Sequence, residues 1–154
     1  TCFIVLKAVV NDNEESYFSM GDLATTDTYI IYKLPVATGN GGATASVLSG
    51  VVNQAAGNTV INNSTPHLLI SESDGTAWSE RVDRINQTLT ITGSNSGQAP
   101  GDYTTLDNIT IGMIRRSGVV FARANFAAIL FYTSQISVAD RDDIENYLIN
   151  KYRI

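Results

Sequence analysis

The chain holds one cysteine, one histidine, one tryptophan and three prolines in 154 residues. Each scarcity excludes something. The lone thiol, Cys2, can form no intrachain disulfide and reads as a small apolar strand residue beside Phe3 and Ile4, so an apolar core must hold the fold. His67 has no second His or Cys at metal-ligand spacing, which leaves no transition-metal site to expect. Ten Lys and Arg stand against fifteen Asp and Glu, for a net charge of −5. The basic residues cluster only at Arg115-Arg116. A nucleic-acid partner needs a concentrated basic surface and is not expected.

Long apolar runs are missing too. "FAAILFY" at 126–132 has the length of a strand, far short of the roughly 20 residues of a membrane-spanning helix. No signal peptide is visible, and the chain starts inside an apolar run without a methionine, which reads as a processed product or an excised part of something longer.

What is present is 44% hydrophobic residues with only 16% charged, in a background of Thr, Ser, Asn and Gly. That amount of apolar side chain fills one core, so a single domain over 1–154 is expected. The polar background favours strands and tight turns. "TCFIVLKAVV" (1–10) reads as a buried strand entering the polar loop "NDNEES". "SYFSMG" (16–21) and "TYIIYKL" (28–34) read as further strands, and the Gly- and Asn-rich stretch 35–66 holds weaker ones near 43–49 and 58–62.

"HLLISES" (67–73) and "AWSERVD" (77–83) flank Asp74-Gly75 as a hairpin, which "QTLTIT" continues. "GSNSGQAPGDYTT" (93–105) is a long loop. "LDNITIGMI" (106–114) and "NFAAILFYT" (125–133) are the last strands, and the second, apolar on both faces, reads as central. Many short strands with one helix make an all-β, two-sheet antiparallel β-sandwich, or jelly roll, the expected fold class.

The helix is "SVADRDDIENYLINKY" (137–152). Ser137 and Asp140 match a capping box, with Asp142 and Asp143 close behind, and Lys151 and Arg153 lie at the far end, as the macrodipole favours. Ile144, Tyr147, Leu148, Lys151 and Tyr152 recur at helical spacing, which predicts a face packed on the sandwich with the carboxylates in solvent.

These last pieces carry a resemblance. The Ile111-Gly112 step, "NFAAILFY", a short link and the capped helix resemble the C-terminal signature of concanavalin A-like, laminin-G-like jelly-roll domains of phage virion and bacterial surface proteins. "HLLISESDGTAW" and "CFIVLKAVV" are similar to that group's strand-turn-strand and early core strand. The resemblance implies a further N-terminal strand near the helix, absent here. It also implies a non-catalytic structural or decoration module of a virion or surface assembly, located on a virion or extracellularly at a cell surface. Its expected partners are other protein subunits, including copies of itself, and cell-surface glycans.

The alternatives are a lectin-like carbohydrate-binding adhesion domain and, more remotely, a glucanase. The glucanases of this superfamily use Glu-x-Asp-x-x-Glu on one strand. Here Glu72 and Asp74 are followed by Ala77, so the third carboxylate is missing. No G-x-S-x-G supports a serine hydrolase, and no catalytic residue is assigned. Sugar binding calls for aromatic faces with polar neighbours, and the candidates are Trp78 with Arg81 and Asp102 with Tyr103. Core packing is the competing role for Trp78, as a hydrogen-bonded structural role is for His67. No metal or other cofactor is expected. Calcium is allowed by the resemblance, with Asp22, Asp74 and Asp102 as oxygen donors, but no motif selects it. Sequons at Asn62, Asn63, Asn86 and Asn108 read as accidents of an Asn- and Thr-rich composition.

Overall fold

"CFIVLKA" is apolar at nearly every position, and this is explained by where it lies. In the structure, a computed structural model, strand β1 (Cys2–Ala8) sits between two neighbours, with one face toward a second sheet and the other toward a helix. Cys2, Ile4, Leu6 and Ala8 point into the sandwich, while Phe3 and Val5 point toward the helix. A period of two with both sets apolar is what a doubly covered strand requires. The structure describes residues 1–9, 15–22, 24, 28–34, 42–48, 51–114 and 120–154. Arg115-Arg116, most of the loop at 11–16 and the Gly-Asn patch up to residue 41 lie outside the described residues.

The remaining strands are β2 (Glu15–Gly21), β3 (Tyr29–Leu34), β4 (Ala43–Leu48), β5 (Val51–Ala56), β6 (Pro66–Ser73), β7 (Trp78–Val82), β8 (Ile85–Asn86), β9 (Thr90–Thr92), β10 (Asn108–Ile111), β11 (Met113–Ile114), β12 (Val120–Phe121) and β13 (Ala124–Phe131). They form a five-stranded sheet, β13-β1-β6-β7-β8, a six-stranded sheet, β10-β2-β3-β4-β5-β9, and a two-stranded ribbon, β11-β12. Among the described residues all pairings are antiparallel. The chain is therefore a two-sheet antiparallel β-sandwich with one C-terminal helix, α1 (Val138–Tyr152).

The layers are welded by two apolar clusters. Between the sheets, the inward residues of β1 meet Tyr17, Phe18, Met20, Ile61 and Val82. Between the five-stranded sheet and α1, Phe3, Val5, Leu68 and Ile70 meet Leu148, with Ile144, Ile149 and Tyr152 alongside.

Three expectations change. β13 is apolar on both faces yet stands at the edge of its sheet, with β1 inside it; its faces are covered by α1 and by the opposite sheet, and face burial does not fix strand order. Residues 58–62 form no strand, and Ile61 instead plugs the core at 0% exposure. The packed face of α1 is also rotated from the expected one. Tyr147 is 59% exposed while Glu145 is buried at 2%, because Glu145 shares its side of the helix with Leu148 and Tyr152.

The cap of α1 is as the sequence implies: Ser137 Oγ accepts from the Asp140 backbone N–H at 3.1 Å and donates to Asp140 Oδ2 at 2.6 Å. Arg153 ends the helix in the left-handed conformation, φ 57°.

Candidate functional site

At one end of the sandwich the sheets part around a cleft of about 240 Å³. The register explains its composition. Cys2 is paired with both Ser71 and Phe131, and Ser73 with Trp78, so the start of β1 and β7 and the ends of β6 and β13 reach the same rim. Tyr32 enters from the opposite sheet, and Gln98, Ala99 and Pro100 of the long loop close one side. The walls are aromatic, with Tyr32, Trp78, Phe131 and Tyr132. Polar groups come from Ser71, Glu72, Ser73, Asp74, Gln98 and Gln135.

The β6–β7 turn is a rigid part of the rim. Asp74 Oδ1 accepts from the Thr76 hydroxyl at 2.7 Å and from the backbone N–H groups of Thr76 and Ala77 at 2.8 Å each. The Thr76 hydroxyl first, then these N–H groups, hold the Asp74 carboxyl below its ordinary range. Gly75 turns the chain with φ 86°. The loop is locked on the other side, where Ser73 Oγ donates to the Gly97 carbonyl.

The four sugar-binding candidates are placed unequally. Trp78 is 3% exposed, so its indole is a buried wall and not an open stacking platform. Its Nε1–H donates to the Gln98 carbonyl at 2.8 Å, and its backbone exchanges hydrogen bonds with the Asn95 side chain at 2.6 and 3.1 Å. Tyr103, also buried, donates its hydroxyl to Gln98 Oε1 at 3.3 Å. Trp78 and Tyr103 thus meet at Gln98, a loop amide that no sequence motif singles out. Asp102 is exposed and caps its own 3-10 turn, Pro100–Asp102, by accepting from the Ala99 N–H at 2.6 Å.

Arg81 is elsewhere. Trp78 and Arg81 are three apart on β7 and so point to opposite faces, which the parity of a strand already dictates. Arg81 lies on the helix side, bonded to Glu145 Oε2 at 3.0 Å, Asn86 Oδ1 at 2.8 Å and the Arg84 carbonyl at 3.1 Å. It lines a separate polar hollow of about 270 Å³ with Glu72, Ser79, Asn86, Gln87 and Arg141.

The carboxylates of the end cleft are both engaged by neighbouring groups. Glu72 is ion-paired with Arg141 at 3.1 Å, and Asp74, with its depressed pKa, is a poor proton donor. Among the described residues no other carboxylate lines the cleft. Asp22 accepts from the Ala24 N–H at 2.7 Å, so Asp22, Asp74 and Asp102 each serve a separate turn. Among the described residues no three His, Cys, Asp or Glu side chains converge on one point, and the three aspartates do not fit a shared calcium site.

His67 is built into the structure. Nδ1 meets Asp83 Oδ2 at 2.6 Å, and Nε2 meets Asn63 Oδ1 and Thr65 Oγ1, both at 3.0 Å. The sequon asparagines are likewise engaged: Asn63 with His67, Asn86 with Arg81, and Asn108 with the Gly21 carbonyl at 2.5 Å. Asn62 is buried at 7% exposure.

No family model matches the chain, and no curated protein matches it. Solved structures do match. The Ruminococcus gnavus IT-sialidase CBM40 bound to alpha2,3 sialyllactose is similar with a TM-score of 0.68 at 15% identity, over 98% of this chain and 81% of that one. A second structure of the Ruminococcus gnavus IT-sialidase CBM40 gives a TM-score of 0.65 at 11% identity, over 94% and 81%. Its complex with alpha2,6 sialyllactose gives 0.64 at 12% identity, over 90% and 79%. At such identities the likeness establishes the sandwich fold. None of the three is a virion protein, so they lend no support to a virion role.

Proposed function

We propose that this chain is a non-catalytic carbohydrate-binding domain that takes a saccharide unit in the end cleft, working at a cell surface or outside the cell. The observation that carries this reading is the cleft itself: an aromatic-walled recess of about 240 Å³ rimmed by carboxylate, amide and hydroxyl groups. Sugar rings offer apolar C–H faces to aromatic side chains and hydroxyls to convergent polar groups, and such a recess meets both demands. Sharing a fold with modules that hold sialyllactose supports the reading without identifying the ligand. The resemblance of the C-terminal segment to concanavalin A-like, laminin-G-like domains supports it as well, because lectins belong to that superfamily.

The lectin-like alternative thus displaces the virion module as the preferred function. Trp78 and Tyr103 support the cleft from behind, Gln98 links them, and Asp74, Gln135 and Tyr132 are assigned to contact sugar. Titration of the labelled protein with neutral and sialylated oligosaccharides, followed by NMR, tests this. Shifts should centre on residues 71–78 and 131–135 and weaken in Gln135→Ala. Shifts confined to the β7–α1 hollow around Arg81 would remove the end cleft from consideration.

A further inference from the structure

We propose that the end cleft selects neutral, hydroxyl-rich saccharides over sialylated ones, an inference that rests on the carbohydrate-binding reading above. Binding a sugar carboxylate in a partly desolvated recess requires a cation or a set of N–H groups free to receive it. The cleft is arranged the other way. Among the described residues its charged side chains are Glu72 and Asp74, both acceptors. The adjacent guanidinium of Arg141 is already shared between Glu72 at 3.1 Å and Asp142 at 2.8 Å. Two carboxylates therefore stand against that one cation.

The Thr1 nitrogen, which also lines the cleft, lies 3.1 Å from the carbonyl oxygens of both Tyr132 and Ser134 and is already engaged there. Asp74 keeps its negative charge because the Thr76 hydroxyl and the turn N–H groups stabilise the carboxylate. For a neutral sugar these features are favourable. An ionised carboxylate accepts charge-assisted hydrogen bonds from sugar hydroxyls, and the Gln135 amide supplies both a donor and an acceptor. For a sialylated sugar the same carboxylates repel the ligand, and specificity arises from repulsion as much as from attraction. A like charge brought within a few ångströms at the dielectric of a protein surface weakens binding by about tenfold or more.

Calorimetric titration of the full chain with lactose, cellobiose and N-acetyllactosamine, set against 3′- and 6′-sialyllactose, tests the inference. At least one neutral disaccharide should bind about tenfold more tightly than either sialyllactose. Sialyllactose binding as tightly as the best neutral sugar overturns the selectivity and leaves the carbohydrate reading standing. Silence from every saccharide overturns both. Asp74→Asn keeps a side-chain oxygen for the turn and removes the charge, so it should fold normally and narrow the neutral-to-sialylated ratio several-fold. A ratio unmoved in a folded Asp74→Asn protein also overturns the selectivity.

Discussion

Replacing Arg81 with alanine should be among the costliest single changes on the helix side of the sheet. Glu145 is 2% exposed; its Oε2 meets Arg81 at 3.0 Å, and among the described residues its Oε1 has no hydrogen-bond partner. In Arg81→Ala the carboxylate stays buried and loses its counter-charge, a change that costs about 3–5 kcal/mol in comparable pairs. The Arg81 side chain keeps 17% exposure, so water can reach part of the vacated space and the lower figure, about 3 kcal/mol, is expected. For a domain of this size that is about 6–12 °C in Tm.

Calorimetry of Arg81→Ala, Glu145→Ala and the double variant measures the coupling directly. Glu145→Ala should cost less, about 1–2 kcal/mol, because Arg81 retains Asn86 and the Arg84 carbonyl. The double variant should be more stable than the sum of the singles by about 2 kcal/mol. Substituting methionine at both positions should restore most of the stability, since an apolar pair avoids desolvating two charges. If Arg81→Ala moved Tm by less than about 2 °C, or if the singles simply added, Glu145 would not be a buried, paired charge and the docking of α1 argued above would be wrong.

Other outcomes follow from the same structure. Burial pushes the Cys2 thiol up to about 12, so iodoacetamide at pH 8 should leave it unlabelled in the native protein and label it fully in denaturant. Ser137→Ala removes the cap of α1 and should lower stability by about 1 kcal/mol, read as a Tm shift of about 2–4 °C. Gly97 has φ 59°, and a Cβ there would run into the backbone of Thr76 and Ala77, whereas at Gly75, φ 86°, the space is open. Gly97→Ala should therefore melt markedly earlier than Gly75→Ala. The depressed pKa of Asp74 means its turn is favoured above the ordinary carboxyl value of 3.8. That contribution should fade as pH falls below this value through the lower folded-state pKa, an acid dependence that Asp74→Asn should lack.

The fold was legible wherever one side chain pattern has one meaning. The capped helix, the Asp74-Gly75 hairpin and the doubly apolar β1 each encode their surroundings locally. β13 shows the limit. Its pattern reports two covered faces, but the order of strands is set by partners distant in sequence. For the site, the separation of Trp78 from Arg81 follows from strand parity, and the opposite faces of β7 could have been assigned at the outset. Gln98 could not. An amide in a loop acquires its role only when folding brings Trp78 and Tyr103 to it. Nor could Glu145 be distinguished from the other helix carboxylates until Arg81, 64 residues away, came within reach.

The place of β1 in its sheet also governs how the chain can be made. β1 is held between β6 and β13, and the backbone nitrogen of Thr1 contacts the carbonyl of a residue 131 positions later. During synthesis, one side of β1 can pair once β6 has emerged, but the other must wait for β13. Contacts this distant in sequence carry a large loop-closure entropy and slow folding. Until then β1 presents an apolar strand with an open edge, a template for pairing with other chains. A chain halted before residue 124 should therefore aggregate rather than persist as a smaller folded core, and α1, made after β13, closes over a sheet that only its immediate predecessor completes.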